Sequence, residues 1–321
     1  MNTKIKWISM VMAGVMCIAL ITGCGLAGGG EPSAVPTTIT SSQDAVVPDE
    51  SAPAEPTPTA TPEPTPSPTA VVSTNLKQLQ AKEGYMPPKS LDGIDPLNDK
   101  VVALTFDDGP GPHTEKLLDI LKDNDVVATF FVVGTNVAEY PDIVKREYEE
   151  GHEIGTHSWN HKDLKTISLD QIMQDQYGKA NDAIEAATGL RALIDRPPYG
   201  SMTEELAEQI GREQILWSVD PRDWDAKGGY KNPDSVYDRV VNGSDDGGYL
   251  KDGGIVLSHD IHETTVDAYD KIIKALKDEG YKFVTVTQMM QIAEIRGKDI
   301  QYRFANAPTA VEAAKPSESA E

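Results

Sequence analysis

The chain has 321 residues, of which 51 are acidic and 29 are Lys or Arg, giving a formal net charge of −22. This balance argues against nucleic acid as a partner, because phosphate binding needs clustered Lys and Arg. It also gives no electrostatic attraction toward an anionic polymer, so the surface charge is interpreted as solubilising. The two cysteines, Cys17 and Cys24, both precede the predicted folded part, which therefore has neither a disulfide nor a thiolate metal ligand.

Residues 1–24 are predicted to be a lipoprotein signal peptide. Lys4 and Lys6 precede an apolar stretch, 7–21, that is shorter than the roughly 20 residues of a membrane span. The stretch leads into ITGC, which resembles the lipobox of bacterial lipoproteins, so Cys24 is predicted to carry a lipid. The alternative is an ordinary signal peptide with an incidental cysteine.

Residues 25–75 are rich in Pro, Thr, Ser and Ala and are predicted to form a disordered stalk that favours extended polyproline II. A Pro-rich recognition ligand is the alternative, but no Lys or Arg lies between Lys6 and Lys77. Residues 76–305 fit one folded domain. Residues 306–321 are predicted to be a disordered acidic tail.

Short apolar runs alternate with amphipathic stretches along the folded part. Strands are predicted over 101–106, 126–133, 152–156, 192–194, 214–219, 255–258 and 282–286. Helices are predicted over 114–122, 136–150, 169–187, 203–210 and 265–279. This alternation predicts an α/β fold with a mainly parallel sheet, either open or closed into a barrel.

Polar residues follow the ends of five predicted strands. They are Asp107 and Asp108, His157, Arg196, Asp220 and Asp223, and His259. Because the carboxyl ends of parallel strands meet at one side of a sheet or barrel, we expect these side chains to form one site.

His157 and His161 lie four residues apart in the sequence. Two His and one Asp form a ligand set that suits Zn²⁺ or a similar divalent ion. Three protein ligands leave a coordination position open, which is typical of a catalytic site. The second carboxylate of the pair Asp107 and Asp108 is then available as a general base. An Asp-Gly-Pro turn without function is the alternative, and the paired histidines and Arg196 argue against it.

Five motifs in order make the chain resemble polysaccharide deacetylases of the NodB-homology type, carbohydrate esterase family 4. They are TFDDGP at 105–110, HSWNH at 157–161, RPPYG at 196–200, DPRDW at 220–224 and LSH at 257–259. The resemblance covers about residues 100–291 and implies a distorted (β/α) barrel with fewer than eight regular units. The glycine-rich stretch 242–254 is the less familiar part of this region.

The resemblance also implies catalytic roles. Asp107 resembles the family's general base, with Arg196 as its partner. His259 resembles the general acid, with Asp223 as its partner. The backbone N–H of Tyr199 would face the oxyanion.

The metal ligands implied by the resemblance are Asp108, His157 and His161. The ion is predicted to be a single Zn²⁺, with Co²⁺, Ni²⁺ or Mn²⁺ as alternatives. The pocket around the acetyl group would consist of Pro197, Trp224 and Leu257.

These observations together predict an exported hydrolase, lipid-anchored at the outer face of a bacterial cell membrane, that removes N-acetyl groups from a glycan. N-acetylglucosamine of peptidoglycan is the predicted substrate, since the stretch 257–266 looks like that of bacterial peptidoglycan deacetylases. Exopolysaccharide, chitin oligomers and O-acetylated xylan are the alternative substrates. A glycan-binding lipoprotein without catalytic activity is the alternative from another functional class.

Overall fold

The computed structural model describes residues 82–225, 232–298 and 303–304. The predicted signal peptide with Cys24, the stalk and the acidic tail lie outside the described residues. Within the described part of the chain, no helix combines the length and the apolar character that a membrane span requires.

A mostly parallel sheet forms the centre of the domain. Its strands are β1 (Lys100–Asp107), β2 (Thr129–Val132), β3 (Glu153–Thr156), β4 (Ile194–Asp195), β5 (Glu213–Ile215), β6 (Gly254–His259), β7 (Tyr281–Phe283) and β8 (Arg303–Phe304). The order is β6-β1-β2-β3-β4-β5-β8, with β7 also paired to β1 and with β8 as the antiparallel member. The register places Asp107 at the end of β1 beside His259 at the end of β6.

The sheet curls because the chain after β5 returns to the far edge of β6. Val219 forms a parallel bridge with Val256, and the backbone N–H of Leu257 donates to the Val219 carbonyl at 2.9 Å. Seven parallel strands in the described residues therefore surround the core. The prediction of a distorted (β/α) barrel with fewer than eight regular units is confirmed.

Helices connect the strands and cover the outside of the sheet. They are α1 (Thr114–Asp123), α2 (Gly134–Glu139), α3 (Pro141–Glu149), α4 (the consecutive segments Leu169–Gln171, Ile172–Gly178 and Lys179–Thr188), α5 (Glu204–Ile210), α6 (Pro233–Val241), α7 (Glu263–Asp278) and α8 (Val286–Ile295). The middle segment of α4 is π-helical. Amphipathic spacing explains the packing of α1, which buries Leu117, Leu118 and Leu121.

Several predicted boundaries differ from the structure for local reasons. The single helix predicted over 136–150 is two helices, because Pro141 occupies the first turn of α3 and cannot continue α2. The strand predicted over 282–286 ends at Phe283, because a capping box of Thr285 and Gln288 starts α8. The helices α6 and α8 were not predicted.

Alternate residues of β1 supply two hydrophobic cores, as expected for a strand covered on both faces. Leu104 and Phe106 belong to the larger core, whereas Ala103 belongs to a second core completed by α8. In the larger core, the Phe106 ring lies 5.4 Å from the Phe130 ring and 4.7 Å from the Tyr269 ring, measured between centroids. These aromatic contacts hold β1, β2 and α7 together beneath the strand ends.

We predict that Phe130→Ala lowers the free energy of unfolding by about 3–5 kcal/mol, because it leaves a cavity beside the Phe106 ring in the larger core. Urea denaturation of the folded domain measures the change. Leu97→Ala is the control, since Leu97 is 61% exposed and should cost less than about 0.5 kcal/mol. Equal destabilisation by the two variants would contradict this description of the core.

Candidate active site

Asp108, His157 and His161 form a candidate metal site at the carboxyl ends of β1 and β3. Their ligand atoms all lie within 4.8 Å of one another. Asp108 Oδ1 is 3.2 Å from His161 Nε2 and 3.6 Å from His157 Nε2. This oxygen is buried and accepts no hydrogen bond from the described residues. A buried acceptor facing two imidazole nitrogens fits a divalent cation.

The backbone around the three side chains is held in unusual conformations. Asp108 and His161 have φ values of 72° and 56°, a left-handed region that non-glycine residues seldom adopt. The Asn136 side-chain amide donates to the Asp108 carbonyl at 2.8 Å, and the His161 N–H donates to Ser158 Oγ at 3.0 Å. Such conformations persist only where the surroundings enforce them, and they are found at functional sites.

A hydrogen bond sets the orientation of His157. Its Nδ1–H donates to the carbonyl oxygen of Arg196 at 2.8 Å, which directs Nε2 toward Asp108. Burial lowers the pKa of His157 to about 3. The ring is therefore neutral at physiological pH, which is the form that binds metals.

Asp107 and Arg196 form a buried ion pair beside the candidate metal site. Asp107 Oδ1 lies 2.7 Å from Arg196 Nη1, and Asp107 Oδ2 lies 3.7 Å from His157 Nε2. Arg196 Nη1 also donates to Thr105 Oγ1 at 2.7 Å. Burial raises the pKa of Asp107, and the Arg196 guanidinium opposes this rise. Asp107 therefore holds a proton more readily than an exposed Asp does, which suits a general base.

The remaining donors of Arg196 are used by the backbone. Its Nε donates to the carbonyl oxygen of Ile215, and Nη2 donates to that of Leu216, both at 3.1 Å. The guanidinium also lies 4.1 Å from the centroid of the Phe131 ring. With its charge paired and each of its three nitrogens hydrogen-bonded, Arg196 is fixed in a fully buried position.

His259 and Asp223 form a second pair of catalytic candidates. His259 donates from Nδ1 to Asp223 Oδ1 and from its backbone N–H to Asp223 Oδ2, both at 2.8 Å. Burial disfavours the charged imidazole, but Asp223, together with Asp107 and Asp108, outweighs burial and raises the pKa of His259 to about 9. Hence His259 carries a transferable proton at neutral pH.

The predicted pocket residues divide into exposed and buried members. Tyr199 has a φ of 62°, is 68% exposed, and places its ring edge-on to His161 with 4.5 Å between centroids. Trp224 is half-exposed, and its Nε1–H donates to Asp220 Oδ1 at 3.3 Å. Pro197 and Leu257 are buried. The two exposed aromatic rings are accessible to a ligand, and Leu257 lies two residues before His259.

Two residues of the site were not identified from the sequence. Thr105 bonds to Arg196, and it shares a strand face with Asp107 two residues on, so the period of a strand was a usable signal. Thr265 donates to Asp223 Oδ2 at 2.9 Å. It comes from the first turn of α7, and no local pattern in the sequence connects it with Asp223.

Comparisons with known proteins agree with this geometry. Residues 95–215 match the family model for polysaccharide deacetylase. A peptidoglycan-N-acetylglucosamine deacetylase of Bacillus cereus is 37% identical over 207 residues, which cover 61% of this chain and 91% of that protein. The chain belongs to the polysaccharide deacetylase family. The match extends over nearly the whole length of that relative.

Two further similarities concern one protein of Bacillus subtilis. The peptidoglycan-N-acetylmuramic acid deacetylase PdaC is 40% identical over 222 residues, which cover 69% of this chain and 45% of PdaC. This chain therefore spans less than half the length of that relative. The solved structure of PdaC has 42% identity and a TM-score of 0.57, covering 64% of this chain and 96% of that structure.

We predict that His157→Ala and Asp108→Ala abolish binding of one Zn²⁺ equivalent, because each removes a ligand from a three-ligand set. Isothermal titration of the metal-free domain with Zn²⁺ measures this. His113→Ala, which lies outside the cluster, is the matched control and should retain wild-type stoichiometry. Retention of the site in His157→Ala would show that the ion binds elsewhere.

Proposed function

We propose that this protein is a metal-dependent hydrolase that removes N-acetyl groups from peptidoglycan. One observation supports this proposal most strongly: a candidate general base and a candidate general acid, each paired with its own partner residue, lie at the ends of adjacent strands. Asp107, with Arg196, ends β1, and His259, with Asp223, ends β6 at the neighbouring register position. The Asp-His-His cluster directly adjoins Asp107. Amide hydrolysis needs this combination of base, acid and electrophile.

We propose Zn²⁺ as the ion, held by Asp108, His157 and His161, with Co²⁺, Ni²⁺ and Mn²⁺ as alternatives. Two imidazole nitrogens and one carboxylate oxygen form a borderline ligand set that Zn²⁺ accepts readily. When bound, the ion would polarise the acetyl carbonyl and acidify a water molecule. The buried Asp108 Oδ1, which accepts no hydrogen bond from the described residues, supports this assignment.

In the proposed reaction, Asp107 accepts a proton from the attacking water while the water oxygen bonds to the acetyl carbon. Arg196 keeps the Asp107 carboxylate oriented through their 2.7 Å contact. The backbone N–H of Tyr199 is proposed to stabilise the oxyanion, an effect commonly worth about 3 kcal/mol per donor. The left-handed backbone at Tyr199 supports a special role for its peptide group.

His259 completes the reaction by giving its proton to the leaving nitrogen as the carbon–nitrogen bond breaks. Acetic acid, which ionises to acetate, and a free amino sugar result. Before the next cycle Asp107 releases the proton that it took from water, and His259 takes up a proton in place of the one that it gave to the nitrogen. Asp223 holds His259 in the charged form and fixes its ring through two hydrogen bonds. Pro197, Trp224 and Leu257 are proposed to surround the acetyl methyl group.

The proposed substrate is N-acetylglucosamine of peptidoglycan, reached from a lipid anchor at Cys24 on the outer face of the cell membrane through the stalk. The name of the B. cereus relative supports this sugar, whereas the name of PdaC specifies N-acetylmuramic acid. Acetate release from purified peptidoglycan, chitin oligomers and acetylated xylan tests the substrate class. Mass spectrometry of the digested peptidoglycan then identifies the deacetylated sugar.

We expect acetate from peptidoglycan and a mass loss of one acetyl group on the glucosamine. Acetate from xylan alone would favour the alternative in which O-acetylated xylan is the substrate. No acetate from any of these glycans, with Zn²⁺ bound, would favour the inactive glycan-binding alternative and contradict the proposal.

We predict that Asp107→Asn lowers kcat by at least about 100-fold, because the amide cannot accept the proton. Zn²⁺ binding should be retained, since Asp107 is not among the three proposed ligands. Steady-state acetate release and metal content measure both effects on one protein sample. Asp123→Asn, the same change at an exposed aspartate, is the control. An Asp107→Asn enzyme with normal turnover would disprove the assignment of the base.

We predict a bell-shaped dependence of kcat/KM on pH. Activity falls at low pH as Asp107 becomes protonated, and it falls at high pH as His259 loses its proton near pH 9. Asp223→Asn should move the alkaline limb to lower pH, because it removes the carboxylate that raises the pKa of His259. An alkaline limb at the same pH in Asp223→Asn would exclude His259 as the acid of that limb.

A further inference from the structure

The glycine-rich loop 243–248 packs directly against the turn that carries Asp223 and Trp224. The Asp220 N–H donates to the Gly247 carbonyl at 2.7 Å. A Cβ atom at Gly247 would overlap the carbonyl oxygen of Asp220, and one at Gly248 would overlap that of Ser218. Glycine is therefore required at both positions for the two backbone segments to approach this closely.

Asp246 ties this loop to two arginines. Its Oδ2 lies 2.7 Å from Arg222 Nη1, and its Oδ1 lies 2.7 Å from Arg239 Nη2. Arg239 extends from α6, is largely buried, and donates from Nε to the Pro221 carbonyl at 2.8 Å. Asp246 thus links the loop, α6 and the turn 220–225 through charge-assisted hydrogen bonds.

The turn itself needs such support. Arg222 has a φ of 56°, a conformation that a long side chain seldom adopts. The turn also contains the Arg222 N–H bond to Asp220 Oδ1 at 2.7 Å and the Arg222 Nη2 contact with Asp225 Oδ2 at 2.8 Å. A left-handed residue directly before Asp223 determines where that carboxylate points, and this conformation persists only when the surroundings hold it.

We propose that Asp246 is a positioning residue for the general acid. By holding Arg222 and Arg239, Asp246 fixes the turn 220–225. In this turn Asp223 accepts two hydrogen bonds from His259, and Trp224 lies beside the site. This inference rests on the proposed function, because it assumes the acid role of His259. It assigns a purpose to the glycine-rich loop, which begins 18 residues after the turn ends in the sequence (243 − 225).

The effects of changing Asp246 on activity and on stability distinguish a positioning role from a purely structural one. The side chains of Asp246 and Arg222 are 47% and 30% exposed, and ion pairs that are open to solvent contribute little to global stability. The buried Arg239 keeps its hydrogen bond to the Pro221 carbonyl when Asp246 is changed. Loss of the Asp246 carboxylate should therefore displace the turn 220–225, and with it the partner of His259, while the free energy of unfolding of the domain changes little. This difference separates positioning from general stabilisation.

The experiment compares Asp246→Asn with Asp245→Asn in the full chain. Asp245 lies in the same loop and accepts from the Tyr249 hydroxyl at 2.7 Å, so its variant removes the same charge without touching the arginine contacts of Asp246. We expect Asp246→Asn to melt within about 4 °C of the wild type. Its kcat should fall about tenfold, as for other residues that orient a site group. Asp245→Asn should match the wild type.

The alkaline limb of the pH profile is the second readout. It should move to lower pH by about one unit in Asp246→Asn, because a displaced Asp223 raises the pKa of His259 less. Asp107 and Asp108, which also raise the pKa of His259, are unaffected. A variant that only loosens the fold would lose activity without this shift.

Hydrogen exchange gives a readout that does not depend on activity. The amides of Asp220 and His259 donate to Gly247 and Asp223, and we expect both to exchange faster in Asp246→Asn. Gly247→Ala, which displaces the loop by steric overlap, should have the same effect and serves if Asp246→Asn does not fold.

These measurements distinguish failure of the proposed function from failure of the positioning role. If the wild type releases no acetate, the proposed function is wrong, and exchange alone decides the positioning role. If exchange in Asp246→Asn equals that in Asp245→Asn, or if an active Asp246→Asn keeps the wild-type kcat and alkaline limb, the positioning role is wrong.

Discussion

The arrangement of the site depends on the buried ion pair between Asp107 and Arg196. It joins the end of β1 to the end of β4, and Arg196 continues the connection to Ile215, the last residue of β5, and to Leu216, which follows it. The Arg196 carbonyl also orients His157. Removing one member of a buried pair leaves an uncompensated charge, which typically costs about 3–5 kcal/mol. Arg196 therefore positions both the proposed base, through its guanidinium, and one of the proposed metal ligands, through its carbonyl oxygen.

Two adjacent carboxylates acquire different roles from this arrangement. Asp107 ends a strand, faces the interior and is neutralised by Arg196, whereas Asp108 follows in a left-handed conformation that turns its carboxylate to the two imidazoles. Similarly, His157 is held neutral by burial while His259 is held charged by Asp223. In the proposed mechanism the surroundings, more than the residue types, separate metal ligand from base among the two carboxylates and metal ligand from acid among the two histidines.

Much of this site could be predicted because its residues follow strand ends, and strand ends of a parallel barrel converge. The alternating apolar runs gave the positions of the strands, and three predicted helices end within two residues of a glycine, namely Gly151, Gly189 and Gly280. The ends of the elements were less accurate, since Pro141 and the capping box at Thr285 act locally against the hydrophobic period. Tertiary partners such as Thr265 could not be predicted, because their contacts join segments that no sequence pattern relates. The loop at Asp246 was noticed for its composition, but its contacts with Arg222 and Arg239 appear only in three dimensions.

The proposed mechanism requires that Asp108 binds the metal ion and that Asp107 does not. Anomalous diffraction at the zinc edge, from crystals grown with Zn²⁺, measures which carboxylate binds the ion. We expect one peak about 2.0–2.2 Å from an oxygen of Asp108 and from Nε2 of both His157 and His161, with Asp107 still paired to Arg196. A zinc ion coordinated by Asp107 instead, or no ion between the two imidazoles, would contradict it.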